Sequence, residues 1–547
     1  MNDPDALEGD AGLLASRRPY AVLVAFCLLL WLPGLFTLPP TDRDESRFAQ
    51  ASKQMIESGD GVRIMNGAAP RNRKPIGIYW LQVPFAAAAA GLATENPIWP
   101  YRLPSLLGAL LAVSATFGLG QRLVGRRAAL LAAGMLAACV LLTIEAHLAK
   151  ADAALLGATT VAMGLLGHAY LGERAGLGTF GRYHAAAFWL AIGAGILLKG
   201  PITPMVAALA CVTLAAWDRR AGWMRVLRPG WGVALTLLGV LPWFVAIEIA
   251  THGAFLDDSV GGDLGRKLSS GDNAHGGPPG LHLLLLPLLA FPSSLLVLRA
   301  LPDLWRRRDD ATRFLVAWIV PSWAVLEMVP TKLPHYALPL YPALFLLAAR
   351  WATDPARRAM PRGWAASSTW LTAAAGMSIG LATVALPLAL HVSPWIGLPA
   401  MIAAILAGWL AIRPGRVVLA LAAMPLVTGA LLGLELPGLQ PLWIAPRIES
   451  VLVGAGLAGR TVGAVGFHEP SLMFLAGIRT ELLATGATGA DALEAGEVGA
   501  LIVGNRDEAS FQAEAARLEL TAISIGHVDG FNYSHGRFVR LTIYRRS

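Results

Sequence analysis

Long apolar runs separated by short polar breaks fill most of the chain. A bilayer-spanning helix needs about 20 mostly apolar residues, with a range of about 17–25. Thirteen runs fit, with cores near 20–37, 102–120, 127–144, 153–171, 184–198, 201–217, 230–250, 280–298, 313–329, 335–349, 367–390, 395–412 and 416–434. A further run, 75–93, follows Lys74 directly and opens on Pro75, and reads as a re-entrant or interfacial segment.

The breaks carry a second pattern. Arginines fill every second one: Arg17 and Arg18; Arg122, Arg126 and Arg127; Arg174 and Arg182; Arg219, Arg220, Arg225 and Arg228; Arg299 and Arg306 to Arg308; Arg350, Arg357, Arg358 and Arg362; Arg413 and Arg416. Basic residues mark cytoplasmic loops, so the N-terminus is expected inside. Counting 75–93 as a full crossing would invert everything after it, and thirteen spans leave 435–547 outside. The six lysines, Lys53, Lys74, Lys150, Lys199, Lys267 and Lys332, all fall on the outer side. Either compositional drift toward arginine scattered them there, or they face an anionic ligand.

Composition agrees with a bilayer as solvent. Of 547 residues, 55% are hydrophobic and only 15% charged, against about a quarter charged in ordinary soluble domains. The net charge of +8 is first a topology signal. Cys27, Cys139 and Cys211 each sit in an apolar run, which reads as free thiols without a disulfide or zinc pattern. A polar stretch before Tyr20 and the absence of a small-residue cleavage site argue against a cleaved signal peptide.

Candidate chemistry gathers on the outer side. Residues 44–58 of the first outer loop (38–101) read as a surface helix with Phe48, Ala51, Met55 and Ile56 as its apolar stripe. Asp44, Arg47 and Phe48 share a face; Asp44-Glu45 also suits a plain acidic helix start. Arg71, Arg73 and Lys74 beside Tyr79 and Trp80 fit an interfacial anchor or a lipid phosphate. Glu145, His147, Lys150 and Asp152 cluster at one span end, and Lys199 interrupts a turn too tight for solvation. Lys332, His335 and Tyr336 cap the tenth span. Such groups pair with each other or with a ligand, or snorkel to the interface. The outer loop 251–279, with Arg266, Lys267 and His275, reads as a mobile lid or a plain linker.

Five motifs in order, DRDESRFAQ (42–50), RKPIGIYWL (73–81), KADAAL (150–155), LLKGP (197–201) and TKLPHYALPLYP (331–342), resemble the bacterial aminoarabinose lipid A transferases. More broadly, they resemble the protein-mannosyltransferase superfamily of GT-C glycosyltransferases. The resemblance implies a polytopic α-helical GT-C fold of about 13 transmembrane helices. It divides the chain into a cytoplasmic tail (1–19), a transmembrane catalytic domain (20–435) and a periplasmic α/β domain (436–547) in the bacterial inner membrane. It implies Asp44 and Asp152 as catalytic acids, Arg47 and Lys74 as acceptor- or donor-positioning groups, and Lys199, Arg266 and Tyr336 around the donor phosphate; Glu45 is added to the positioning groups, and Lys332 and His335 to the phosphate site, as their neighbours in the chain. Arg73 stands where relatives often carry Glu, Phe48 where they often carry Tyr, and Pro75-Ile76 where a double proline is usual.

The implied reaction is transfer of a sugar, with inversion, from a polyprenyl-phosphate carrier to lipid A, lipopolysaccharide core or another envelope acceptor. Positive groups would stabilise the departing phosphate. Asp44 would act as base toward a hydroxyl acceptor or position a phosphate already ionised near neutrality. No cofactor is expected to be required, a divalent metal stays open, and membrane lipids rather than nucleic acid are the expected partners. A protein O-glycosyltransferase and, from another class, a lipid or glycan flippase are the alternatives; no internal repeat of the transporter kind is visible.

Residues 447–547 change character. Strands are expected at 462–467 and 500–503, helices at 471–476 and 507–518, and a strand pair over 520–545. Asp529–Gly536 reads as the turn of that pair, and its polar-aromatic make-up would alternatively suit a glycan.

Overall fold

A computed structural model describes residues 17–90, 97–172, 180–265, 276–302, 309–356, 360–477 and 479–547. Each of the thirteen predicted runs falls on helix, but they are not uniform. Among the described residues seven helices are long and apolar enough to cross a membrane, and eight if the bent pair Arg126–Ala138 and Val140–Ala146 counts as one span. Others are short, as in Pro19–Trp31 and Ile202–Asp218. Run 280–298 is broken into Leu281–Leu289 and Ser294–Ala300, and 335–349 begins as a 3-10 turn, Pro334–Leu340, before Tyr341–Thr353. The doubtful run 75–93 is the 14-residue helix Gly77–Ala90. At 1.5 Å per residue this described part spans roughly 21 Å, against a hydrocarbon core of about 30 Å.

The helices of this bundle meet through small residues. Trp99–Val124 crosses Asp152–Leu171 so closely that a Cβ on Gly108 would lie 2.4 Å from Ala154 Cα, and one on Gly157 would lie 2.7 Å from Gly108 O. Between apolar helices in lipid such backbone approach replaces the hydrophobic drive that water would supply. Asp152–Leu171 is thereby the most enclosed span, which fixes the position of the acid at its first turn.

One further pair locks the domain-facing end of the bundle. Arg102 and Glu45 are both buried; Arg102 Nε donates to Glu45 Oε1 at 2.8 Å and Nη2 to Oε2 at 3.1 Å. The remaining guanidinium hydrogens go to the carbonyls of Leu35, Leu38 and Pro39, and Glu45 also accepts from the Thr41 and Ala149 backbone N–H groups. Glu45, expected from its motif as a positioning group, is here the counter-ion of Arg102, with its oxygens hydrogen-bonded inside the protein.

The helix Asp44–Ser58 forms as expected, with Phe48, Ala51 and Met55 buried. It lies under the C-terminal domain, where Lys53 Nζ donates to Phe474 O at 3.0 Å. That lysine anchors the domain. A two-residue hairpin, β1 (Met65–Asn66) with β2 (Ala69–Pro70), follows.

The C-terminal domain has a five-stranded sheet of β3 (Val462–Val465), β4 (Glu481–Leu483), β5 (Ala500–Gly504), β6 (Ala522–Asn532) and β7 (Arg537–Arg546), in the order β4-β3-β5-β7-β6. The first three are parallel, and β7 and β6 join antiparallel. Alternation divides two cores. Val462, Ala464, Ala500 and Ile502 face Ile444–Gly454 and Pro470–Ala476, whereas Val465, Leu501 and Val503 face Gly486–Glu494 and Glu508–Arg517. Strand β4 and helix Gly486–Glu494 are additions to the elements read from sequence. The expected turn at Asp529–Gly536 shortens, because Asp529 to Asn532 belong to β6. Gly530 serves packing there: a Cβ on it would come within 2.5 Å of Ile444 Cγ1 and 2.7 Å of Pro441 O.

The domain docks on the first loop through Asp42. Its backbone N–H donates to Tyr533 Oη at 2.6 Å, and its carboxylate accepts from Ser471 N at 3.3 Å. Burial pushes the Asp42 pKa up to about 6, aided by the nearby Glu469 charge and opposed by the Ser471 and Tyr533 hydrogen bonds. A carboxyl raised in the folded state binds more protons there than in the unfolded chain, so its contribution is fullest below the unfolded value near 4 and is lost as pH rises through 6. Asp42→Asn should therefore raise the thermal unfolding midpoint at pH 8, with the gain over wild type shrinking at pH 5; an equal gain at both would contradict the assignment.

Candidate active site

A cavity of about 580 Å³ opens between the spans and the first outer loop. Its walls are largely apolar, from Leu155, Ile196, Met205, Phe244, Phe255 and Leu326 among others. Its polar end carries Arg73, Lys74, Asp152, Lys199, His335 and Tyr336. Five residues singled out from four motifs, Lys74, Asp152, Lys199, His335 and Tyr336, thus converge on one space.

Charge compensation organises that end. Lys199 Nζ donates to Asp152 Oδ1, and the ammonium also lies 5.2 Å from the centre of the Tyr336 ring. Behind them Lys150 Nζ donates to Glu145 at 3.0 Å and stands 3.8 Å from Asp152 Oδ2. His335 bridges the two acids, with Nδ1 3.6 Å from Glu145 and Nε2 3.6 Å from Asp152. Burial works against the Lys150 charge, but Glu145 and Asp152, with a smaller contribution from Asp44, hold its pKa above the ordinary lysine value. Asp152, expected as a second catalytic acid, is the counter-ion that holds two lysines. Lys199 has three N–H donors and gives one to Asp152, which leaves others for an anion in the cavity.

Other expected residues are placed differently. Lys332 is buried and donates to Val329 O at 2.7 Å, outside the cavity lining. It holds its own turn. Arg266, Lys267 and His275 lie outside the described residues. The described part of the same loop, Ala254–Leu256 and the π-turn Asp257–Leu264, supplies Phe255, Leu256 and Ser259 to the cavity wall. It is tied to the first loop by Asn72 Nδ2 donating to Asp258 Oδ2 at 3.0 Å.

Asp44 stands beside the first-loop arginines as an exposed acid, and is not among the lining residues. Arg47 approaches it to 4.0 Å and Arg71 to 3.8 Å. Arg71 is largely enclosed, 4.9 Å from the Phe48 ring centre, and its Nε donates to the buried Tyr79 hydroxyl at 3.3 Å. Burial holds the Arg47 pKa below its ordinary value; Asp44 opposes that shift, and the charges of Arg71 and Arg73 add to it. Two arginines thus flank one acid, and Arg73 adds its charge at Arg47. The sequence offered Arg71 as an anchor or a lipid-phosphate ligand beside Tyr79; its place against Asp44 is set by the fold of the 59–77 loop. Arg102 was hidden inside an apolar run. Among the described residues no group of three or more His, Cys, Asp or Glu side chains is arranged to hold a metal ion.

Comparison with known proteins agrees with this architecture. The family model for dolichyl-phosphate-mannose-protein mannosyltransferase matches residues 21–254. An undecaprenyl phosphate-alpha-4-amino-4-deoxy-L-arabinose arabinosyl transferase of Pseudomonas aeruginosa is 28% identical over 335 residues, 58% of this chain and 58% of that one. Its namesake in Pectobacterium carotovorum is 27% identical over 376 residues, 67% of this chain and 64% of that one. The matched stretch thus spans less than two thirds of these relatives. The crystal structure of ArnT from Cupriavidus metallidurans bound to undecaprenyl phosphate superposes with a TM-score of 0.73 at 21% identity, covering 96% of this chain and 98% of that one. Its apo state gives 0.69 at 20% identity, with 98% and 97% covered. The protein is a multi-pass membrane protein with the ArnT-like GT-C fold, and its sequence resembles the aminoarabinose transferases.

The buried cluster makes a sharp prediction. Asp152→Asn leaves Lys150 and Lys199 short of a counter-charge, which costs on the order of 3–5 kcal/mol for a buried pair. Its thermal midpoint in detergent should fall, and adding Lys150→Met should restore part of the loss. A double variant no more stable than the single one would refute the compensation.

Proposed function

We propose that the protein is an inverting glycosyltransferase that moves a sugar from a polyprenyl-phosphate carrier to an anionic acceptor of the cell envelope, lipid A or lipopolysaccharide core. The observation that carries this reading is the long apolar cavity ending in Lys199, Lys74, His335 and Tyr336. An isoprenoid tail suits the apolar walls and a phosphate suits the cationic end. The sequence likeness to undecaprenyl-phosphate aminoarabinose transferases supports the same donor class.

In the reaction an acceptor oxygen attacks the anomeric carbon from the face opposite the carrier. The bond from that carbon to the carrier phosphate oxygen breaks, and its electron pair stays on the phosphate, which gains charge. Lys199 and Tyr336, which line the cavity, would stabilise that developing charge, which is where fixed donors lower a barrier most. Asp152 is a positioning residue, since it acts by holding Lys199. A hydroxyl acceptor would lose its proton to Asp44, whereas an ionised phosphate acceptor has none to lose and is oriented instead. Arg47 and Arg71 beside Asp44, with the Arg73 charge felt at Arg47, favour the phosphate acceptor, because the guanidiniums outnumber the one carboxylate and leave net positive charge for a dianion. Protein O-glycosylation is the second reading, supported by the mannosyltransferase family match.

On this reading the site faces the periplasm from the inner membrane, as the arginine register expects. Mass spectrometry of lipid A, core oligosaccharide and envelope proteins from a deletion strain would name sugar and acceptor together. A sugar-sized mass missing from lipid A or core is the expected result, and one missing only from proteins would move the assignment to the second reading. Complementation with Asp44→Asn should fail to restore that mass at normal protein level, with activity down at least 100-fold. Arg71→Gln should raise the apparent acceptor KM more than it lowers kcat.

A further inference from the structure

The C-terminal domain has a cavity of its own, separate from the one between the spans. It measures about 110 Å³ and opens where β3 and β5 end. The chain leaves β3 toward Pro470–Ala476 on one face of the sheet and leaves β5 toward Glu508–Arg517 on the other. Adjacent parallel strands whose connections depart to opposite faces leave a crevice at their carboxyl ends, the usual ligand position in open α/β sheets.

Two glycines keep the crevice open. Gly466 follows β3 at φ +77°, where a Cβ would meet Asp507 Oδ2 at 2.8 Å, and Gly504 ends β5 with its backbone against Gly466. The β6–β7 hairpin overhangs the end of β5, since Gly504 already pairs with Leu541 while β7 starts at Arg537. The cavity is lined by Arg506 from the turn after β5, Arg537 from the hairpin, and Asp507. The Arg537 Nε is buried and finds no hydrogen-bond partner among the described residues. A buried guanidinium N–H without an acceptor is costly, and a ligand oxygen would satisfy it.

We propose that this cavity binds a phosphate group, with Arg537 and Arg506 as its donors. Two guanidiniums against the single Asp507 carboxylate leave one net positive charge, and planar N–H forks match phosphate oxygens. The volume holds several water molecules or one tetrahedral oxyanion. The rim adds a clue to the source. Phe538, half exposed, lines the cavity and lies 5.0 Å from Phe531 and 5.4 Å from His391, measured between ring centres. His391 belongs to the loop joining two helices of the bundle, next to the exposed Trp395. A phospholipid headgroup at that surface and a soluble phosphate would present the same chemistry.

The test uses the full chain in a maltoside detergent, in a Lys199→Met background that weakens phosphate binding in the membrane cavity. One arm titrates inorganic phosphate by calorimetry; the other adds phosphatidylglycerol and reads retained lipid by native mass spectrometry. The account expects saturable binding in at least one arm, weakened at least tenfold by Arg537→Gln and by Arg506→Gln. Retention of phosphatidylglycerol without binding of inorganic phosphate would identify a headgroup, and binding of both a phosphate site open to solvent. Arg506→Gln, on an exposed turn, decides the matter should Arg537→Gln fail to fold. No binding in either arm, or binding that both variants leave unchanged, overturns the proposal.

Discussion

The buried pair between Glu45 and Arg102 is the contact on which the domain-facing end of the molecule depends. Arg102 belongs to one of the principal spans and Glu45 to the surface helix, and their spare hydrogen bonds reach the end of the first helix region and the turn before Asp152. Two charges removed from water are tolerated only when their geometry and their remaining hydrogen bonds are satisfied, and here both are. The consequence is positional. Asp44 is the neighbour of Glu45, so anchoring one acid inside the protein presents the next at the surface.

The same logic orders the cavity. Lys150, Lys199 and His335 stand against Glu145 and Asp152, which allows basic groups at the edge of an apolar space without a ligand bound. Under the proposed function, phosphate recognition would require only that the N–H groups not committed to the acids be redirected.

Much of this was legible in the chain. Apolar runs fixed where helices lie, because burial in lipid demands length and composition. The motifs at 73–81, 150–155, 197–201 and 331–342 named most of the groups that meet in the cavity. What was not legible shares a cause. Glu45 and Lys332 have partners within the protein, Arg102 and the Val329 carbonyl, that only the fold sets. Gly530 resembles a turn residue but makes room for Ile444. Local pattern shows which side chains are costly to bury; only packing decides whether protein or ligand answers them.

The most direct test of the central claim is reconstitution of the purified protein with a synthetic polyprenyl-phosphate sugar and lipid A in one vesicle, followed by mass spectrometry and by NMR at the anomeric centre. The account predicts polyprenyl phosphate and glycosylated lipid A in equal amounts, with the anomeric configuration inverted. A donor that stays intact, or that only changes leaflet, would contradict it.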